Sequence, residues 1–156
     1  MEMTAAHEQR ETLHEDVLYP EHVQRTESEE FRRNKRVLIR KLDLPCWVSG
    51  SREKREVHHI FEWSLWPSLD PERVLDALHA FDPYGFTARD PETPITSPDD
   101  IRNLLVLSEK FHRGIGTGVH KISFPIWLPQ RAVKPGVEIT CDPGGHTAKA
   151  APKKAA

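Results

Sequence analysis

The chain has only two cysteines, Cys46 and Cys141, far apart in sequence. That excludes a disulfide framework and a CxxC zinc site, and it fits a reducing compartment. No run approaches the roughly 20 apolar residues that a helical membrane span needs. The first residues also lack the basic-then-apolar pattern of a secretory leader. A soluble, cytoplasmic protein is expected. Neither sign of charge dominates, with 22 Lys and Arg against 24 Asp and Glu. Hydrophobic residues make up 37% of the 156 positions, so the expected core is modest and belongs to one domain with tails.

The balanced total hides a strong segregation. Residues 1–31 hold nine acids and two bases, and residues 32–56 hold nine bases and three acids. The charge pattern divides the chain into an acidic arm (1–31), flexible or helical, a domain (32–131) that opens on a basic block, and a disordered tail rich in Pro, Gly, Lys and Ala (132–156). A basic block after an acidic arm suits a polyanionic partner. It equally suits two solvated helix faces.

Residues 21–36 read as an exposed helix with little apolar content to anchor it. "CWVSGSREKREVHHI" reads as strand, polar turn, strand. Asp70 is a good N-cap and Pro71 fits the first helical position. Val74, Leu75, Leu78 and Phe81 follow at helical spacing, which predicts a helix over 71–81. "DPYGFTARDPETPITSPDD" is a long loop. "IRNLLVLS" is a strand candidate, and Ser108 can cap a short helix, "EKFHRG". Glycines 114, 116 and 118 end that helix. "VHKISFPIWLPQR" reads as a last extended segment that packs Phe124 and Trp127.

His58 and His59 are adjacent. On a strand such neighbours point to opposite faces, so the two imidazoles cannot easily do the same job. Three further donors follow them: Asn103 opening a second strand, His112 in the next helix, and His120 beyond the glycines. A His-His pair on a strand, followed by "NLLVLSEKFH" leading from strand into helix, resembles the HNH endonuclease family, whose fold is the ββα-metal (His-Me finger) core. "LPCWVSGSREKREVHHI" and "GVHKISFPIW" resemble phage and bacterial members. The resemblance spans about half the chain, Pro45 to Trp127.

The resemblance implies an α+β fold and a metal-dependent endonuclease that hydrolyses phosphodiester bonds of DNA, the duplex form above all. The chemistry asks for an activated water and for neutralisation of charge on phosphate and leaving oxygen, which a divalent metal supplies. A neutral imidazole supplies a base that works near neutral pH. By resemblance His58 and His112 are metal ligands and His59 is the general base. Asn103 orients the loop and ring of His59. One divalent ion is implied (Mg, Mn, Ni or Zn).

Two departures stand out. Many members carry a third histidine four residues after the helical one, and Gly116 stands there. His120 is the natural replacement. A continuous helix would carry it about 12 Å away, whereas the three glycines let the chain curl back. His120 is then a third ligand, a phosphate contact, or a packing residue. Many members also bind a structural zinc through CxxC pairs. Cys46 is alone in its region, and Ser108 and Phe111 stand where such cysteines would sit. No structural zinc is expected, and Trp47, Trp63, Trp66, Phe111 and Trp127 would support the site by packing.

Arg36, Arg40, Lys41, Lys54, Arg55 and Arg113 are candidate phosphate contacts, which set affinity and its salt dependence without reading sequence. Arg102 is open in the same way. Glu62 either assists the histidines or forms an ordinary salt bridge. The alternative to an enzyme is a non-catalytic nucleic-acid-binding or phage packaging-associated module in which the metal is structural.

Overall fold

A computed structural model describes residues 3–11, 13, 15–139 and 141. The architecture is α+β, with short helices around one two-stranded sheet. Strand β1 (Arg55–His59) pairs antiparallel with β2 (Leu104–Ser108), and His58 lies opposite Leu105. A pair of strands this short is not stable alone and needs cover on its faces. Phe31 and Leu38 pack with Val57, Leu104 and Val106 on one face. Trp127, Cys46 and Val48 pack with Leu105 and Leu107 on the other, joined by Phe111. Burial on both faces explains why "LLVL" is apolar without alternation.

Helix α1 (Glu29–Arg36) starts eight residues later than the composition suggests, because Ser28 is its N-cap and accepts from the Phe31 amide at 2.9 Å. Glu29 and Glu30 lie in the first turn and Arg33, Lys35 and Arg36 in the last, as the helix dipole favours. A π-helical turn (Val37–Lys41) continues it and buries Leu38. The packing therefore does not divide the chain at residue 32. Ser28 and Phe31, from the acidic arm, are part of the body of the protein. Helix α2 (Pro71–Ala80) forms as predicted, with Asp70 accepting from the amides of Glu72 and Arg73. It covers a separate cluster of Val74, Leu78 and Ile95. The loop before β2 contains one helical turn, α3 (Phe86–Arg89).

Three expectations fail. Cys46–Val48 is a turn, not a strand. The Cys46 amide donates to Ser51 and the Gly50 amide to Cys46, with Gly50 at a φ of 74°. The Trp47 amide donates to the Val106 carbonyl at 2.8 Å, so this segment meets β2 at one point while β1 makes the full pairing with β2. Ile101–Asn103 is a 3-10 turn capped by Asp100, so the second strand begins only at Leu104. The segment after the glycines is helical. Ser123 stands at the N-terminal boundary of α5 (Phe124–Trp127), where its carbonyl accepts from the Ile126 and Trp127 amides; Pro125 sits in the first turn, and a 3-10 turn (Leu128–Ala132) follows. Trp127 is buried as expected, but Phe124 is 59% exposed. The disorder expected for "HTAKAAPKKAA" falls outside the described residues. Among the described residues no helix is long and apolar enough to cross a membrane.

Candidate metal centre

Period-two alternation puts Glu56 and His58 on one face of β1 and Val57 and His59 on the other. Helix α4 (Glu109–Arg113) follows β2 directly and brings His112 to the Glu56 side. The His112 Nδ1–H donates to Glu56 Oε2 at 2.7 Å. The same carboxylate accepts from Arg113 Nε at 2.9 Å. Burial of Glu56 opposes its charge, but the bonds from Arg113 and His112 outweigh it and lower its pKa. A carboxylate on Nδ1 fixes the tautomer of His112 and turns its Nε2 lone pair outward.

The glycines return His120 to this point. The Gly118 amide donates to Gly114, the Val119 amide to Phe111 at 3.0 Å, and the His120 amide to His112 at 3.3 Å. Space is tight at the turn. A Cβ at Gly118 would lie 2.7 Å from the Gly114 nitrogen and 2.8 Å from the Arg113 carbonyl carbon, both backbone atoms that cannot yield locally. Gly118→Ala is therefore expected to displace His120, lowering metal affinity together with the melting temperature. Calorimetric titration and thermal unfolding check this.

His58 Nδ1 lies 3.2 Å from His120 Nε2, which lies 3.2 Å from His112 Nε2. One ligand atom from each ring falls within 4.8 Å of the others. A tetrahedral ion with nitrogen ligands at about 2.0–2.1 Å sets them about 3.3–3.4 Å apart. Two of the three spacings match that geometry and the third lies within 4.8 Å, so the three donors could hold a divalent ion, and three protein ligands would leave coordination open for water or phosphate. Imidazole donors suit zinc or nickel better than magnesium.

The cluster opposes protonation. Burial, then the neighbouring His120, His112 and His59, push the His58 pKa down to about 3. Burial and then His112 lower His120. Neutral rings are what a metal requires. The unfolded chain protonates near pH 6.5 while folded His58 resists to about pH 3. The unfolded state thus binds more protons in that window. The metal-free protein is expected to lose stability as pH falls from 6.5 towards 3, by up to about 1.4 kcal/mol per pH unit for one proton. Denaturant midpoints in EDTA across this range measure it.

His59 is not part of the triad. Its side chain is 10% exposed and stacks on Phe31 at 5.1 Å. Its Nε2 lies 2.8 Å from Asp99 Oδ1, with Arg25 Nη2 at 3.3 Å. Burial lowers its pKa, and the Asp99 bond works in the opposite direction. The ring is thus neutral near pH 7 but enclosed, where an open, water-facing ring was expected. Asn103, fully buried, accepts from the Phe61 amide at 2.8 Å and donates to the carbonyls of Phe61 and Pro98. It clamps the chain just after His59, while the ring itself is held by Asp99.

Arg36, Arg40 and Lys41 are exposed on the first helical segment, and Lys54 is 82% exposed. Arg55 is different. It is 13% exposed and donates to Asp43 Oδ1 and the Leu44 carbonyl, both at 2.8 Å, so it serves the fold. Arg113 is committed to Glu56. Arg102 is buried, pairing with Asp100 and bonding the carbonyls of Asp90 and Thr93. Glu62 caps the turn at Ser64 and lies outside the three-histidine cluster, near enough to His59 and His120 to favour their charged forms. Of the aromatic supports, Phe111 lies on α4 beside His112, and the Trp127 Nε1–H donates to its carbonyl at 2.8 Å.

Two partners had no role in the motif. Glu56, two residues before His58, shares its strand face, so the period of two carried that signal. Asp99 sits in an irregular loop with no such signal. No family model, curated protein sequence or solved structure matches the chain.

Proposed function

We propose that the protein is a metal-dependent DNA endonuclease of the HNH, ββα-metal type. One observation carries this reading: three imidazole nitrogens from β1, α4 and the glycine turn converge within 4.8 Å, with His120 3.2 Å from each of the other two, beside a strand neighbour that is itself a carboxylate-bound histidine. His58, His112 and His120 hold one divalent ion, and Glu56 keeps His112 in the binding tautomer. The bound ion supplies charge neutralisation on the phosphate and the leaving oxygen. His59, kept neutral, takes a proton from the attacking water. Asn103 fixes the backbone after His59 so that the ring's position does not drift. Arg36, Arg40, Lys41 and Lys54 contact backbone phosphates, so affinity falls steeply with salt.

The enclosure of His59 favours one second reading. A ring only 10% exposed is also what a structural residue looks like. The protein would then be a nucleic-acid-binding or phage packaging-associated module with a structural ion. Supercoiled plasmid incubated with EDTA-treated protein, with and without Mg, Mn, Ni or Zn restored, separates the two. The nuclease reading expects cleavage only with metal, the protein staying folded in EDTA. The module reading expects no cleavage at all and loss of folding on chelation.

A further inference from the structure

We propose that Asp99 is a positioning residue for His59, and that the segment Arg25–Asn34 serves the candidate site by holding Asp99 in place. The inference rests on the nuclease reading above. Asp99 is 4% exposed, and a buried carboxylate persists only if its oxygens are well bonded. His59 Nε2–H and Arg25 Nη2 donate to its Oδ1, at 2.8 and 2.5 Å. Ser28 Oγ–H donates to Oδ2 at 2.6 Å. Asn34 Nδ2–H donates to its main-chain carbonyl at 2.8 Å, so the backbone is anchored as well as the side chain.

The same segment holds the ring. Phe31 lies nearly parallel to His59, with an interplanar angle of 18°. Arg25 sits over Phe31 and Trp63, which keeps the guanidinium against Asp99. A carboxylate that accepts from Nε2–H selects one tautomer and leaves Nδ1 as the only basic nitrogen. This arrangement mirrors the other face of the sheet, where Glu56 selects the tautomer of His112. His59 and His112, on opposite faces of the sheet, each have one carboxylate behind the ring.

The role differs from a purely structural one in what Asp99→Asn changes. The amide keeps the volume but can turn its NH2 towards Nε2, which selects the other tautomer. In metal-loaded full-length protein, kcat for plasmid cleavage is expected to fall about 10- to 100-fold, the usual cost of losing an outer-shell partner. KM and metal affinity stay within about twofold. Nitrogen-15 spectra of the His59 ring are expected to show an Nε2–H tautomer in the wild type that is lost in the variant. Should Asp99→Asn not fold, Ser28→Ala removes one bond and keeps the carboxylate, and a smaller fall in kcat at unchanged KM is expected. An unchanged kcat in the folded variant, or an Nδ1–H tautomer in the wild type, overturns the proposal. Wild-type protein that cleaves no DNA refutes the nuclease reading instead, and the tautomer spectra still decide whether Asp99 sets the state of His59.

Discussion

His59→Ala is expected to lower the turnover of DNA cleavage about 10²- to 10⁴-fold, the range that a positioned general base contributes. Metal affinity should hardly change, because His59 lies on the opposite face of β1 from His58. The split between turnover and metal binding is the informative part. It requires a ring that acts on water and not on the ion. The substitution also removes the stacking on Phe31 and leaves Asp99 and Arg25 facing each other. Some stability is lost with it, since the vacated volume lies next to Phe31 of the core. Turnover should therefore be measured well below the melting temperature, with titration calorimetry giving metal affinity in the same buffer. Equal loss of both quantities would place His59 in the metal centre and contradict the division of labour.

His112→Ala is expected to do the reverse and remove both properties. The ring supplies one of three nitrogen donors and also satisfies Glu56. Its loss leaves two imidazoles and a half-buried carboxylate that keeps only Arg113 as a partner. Affinity should fall by more than the roughly 10- to 100-fold typical of losing an outer-shell contact. Cleavage should fall with it, and raising the metal concentration should restore only part. Glu56→Gln provides the graded comparison. It leaves all three nitrogen donors in place and weakens the tautomer control, so a loss within that outer-shell range is expected.

The candidate centre was legible in the sequence where periodicity speaks. Adjacent histidines on a strand must diverge, and they do, to opposite faces of β1. The glycines before His120 announced a chain reversal, and the backbone bonds from Gly118 to Gly114 and from His120 to His112 make it. Asp70 and Pro71 marked the start of α2 because caps act locally. What lay beyond local rules was less accessible. "CWVS" has the composition of a strand, yet the bonds between Cys46 and Ser51 close a turn that no propensity reveals. Arg55 looks like its basic neighbours, but its place opposite Ser108 on β1 directs it to Asp43 and Leu44. Asp99 meets His59 across 40 positions of sequence and Arg25 across 74. Such pairings depend on how the 82–100 loop packs over α1, which composition does not encode.

The acidic arm changes meaning for the same reason. Charge counting makes it a counterweight to the basic block. Arg25, one of its two bases, is the residue that reaches Asp99, and Ser28 caps α1 while bonding the same carboxylate. Charge patterns describe a surface, and these contacts are made in the interior.

The most direct test is anomalous scattering from crystals of the protein grown with zinc or nickel and measured at the metal edge. A single peak about 2.0–2.1 Å from His58 Nδ1, His112 Nε2 and His120 Nε2, the normal range for imidazole ligation, is the predicted result. A crystal in which those three rings enclose no peak, or in which the ion sits elsewhere on the surface, would contradict the account.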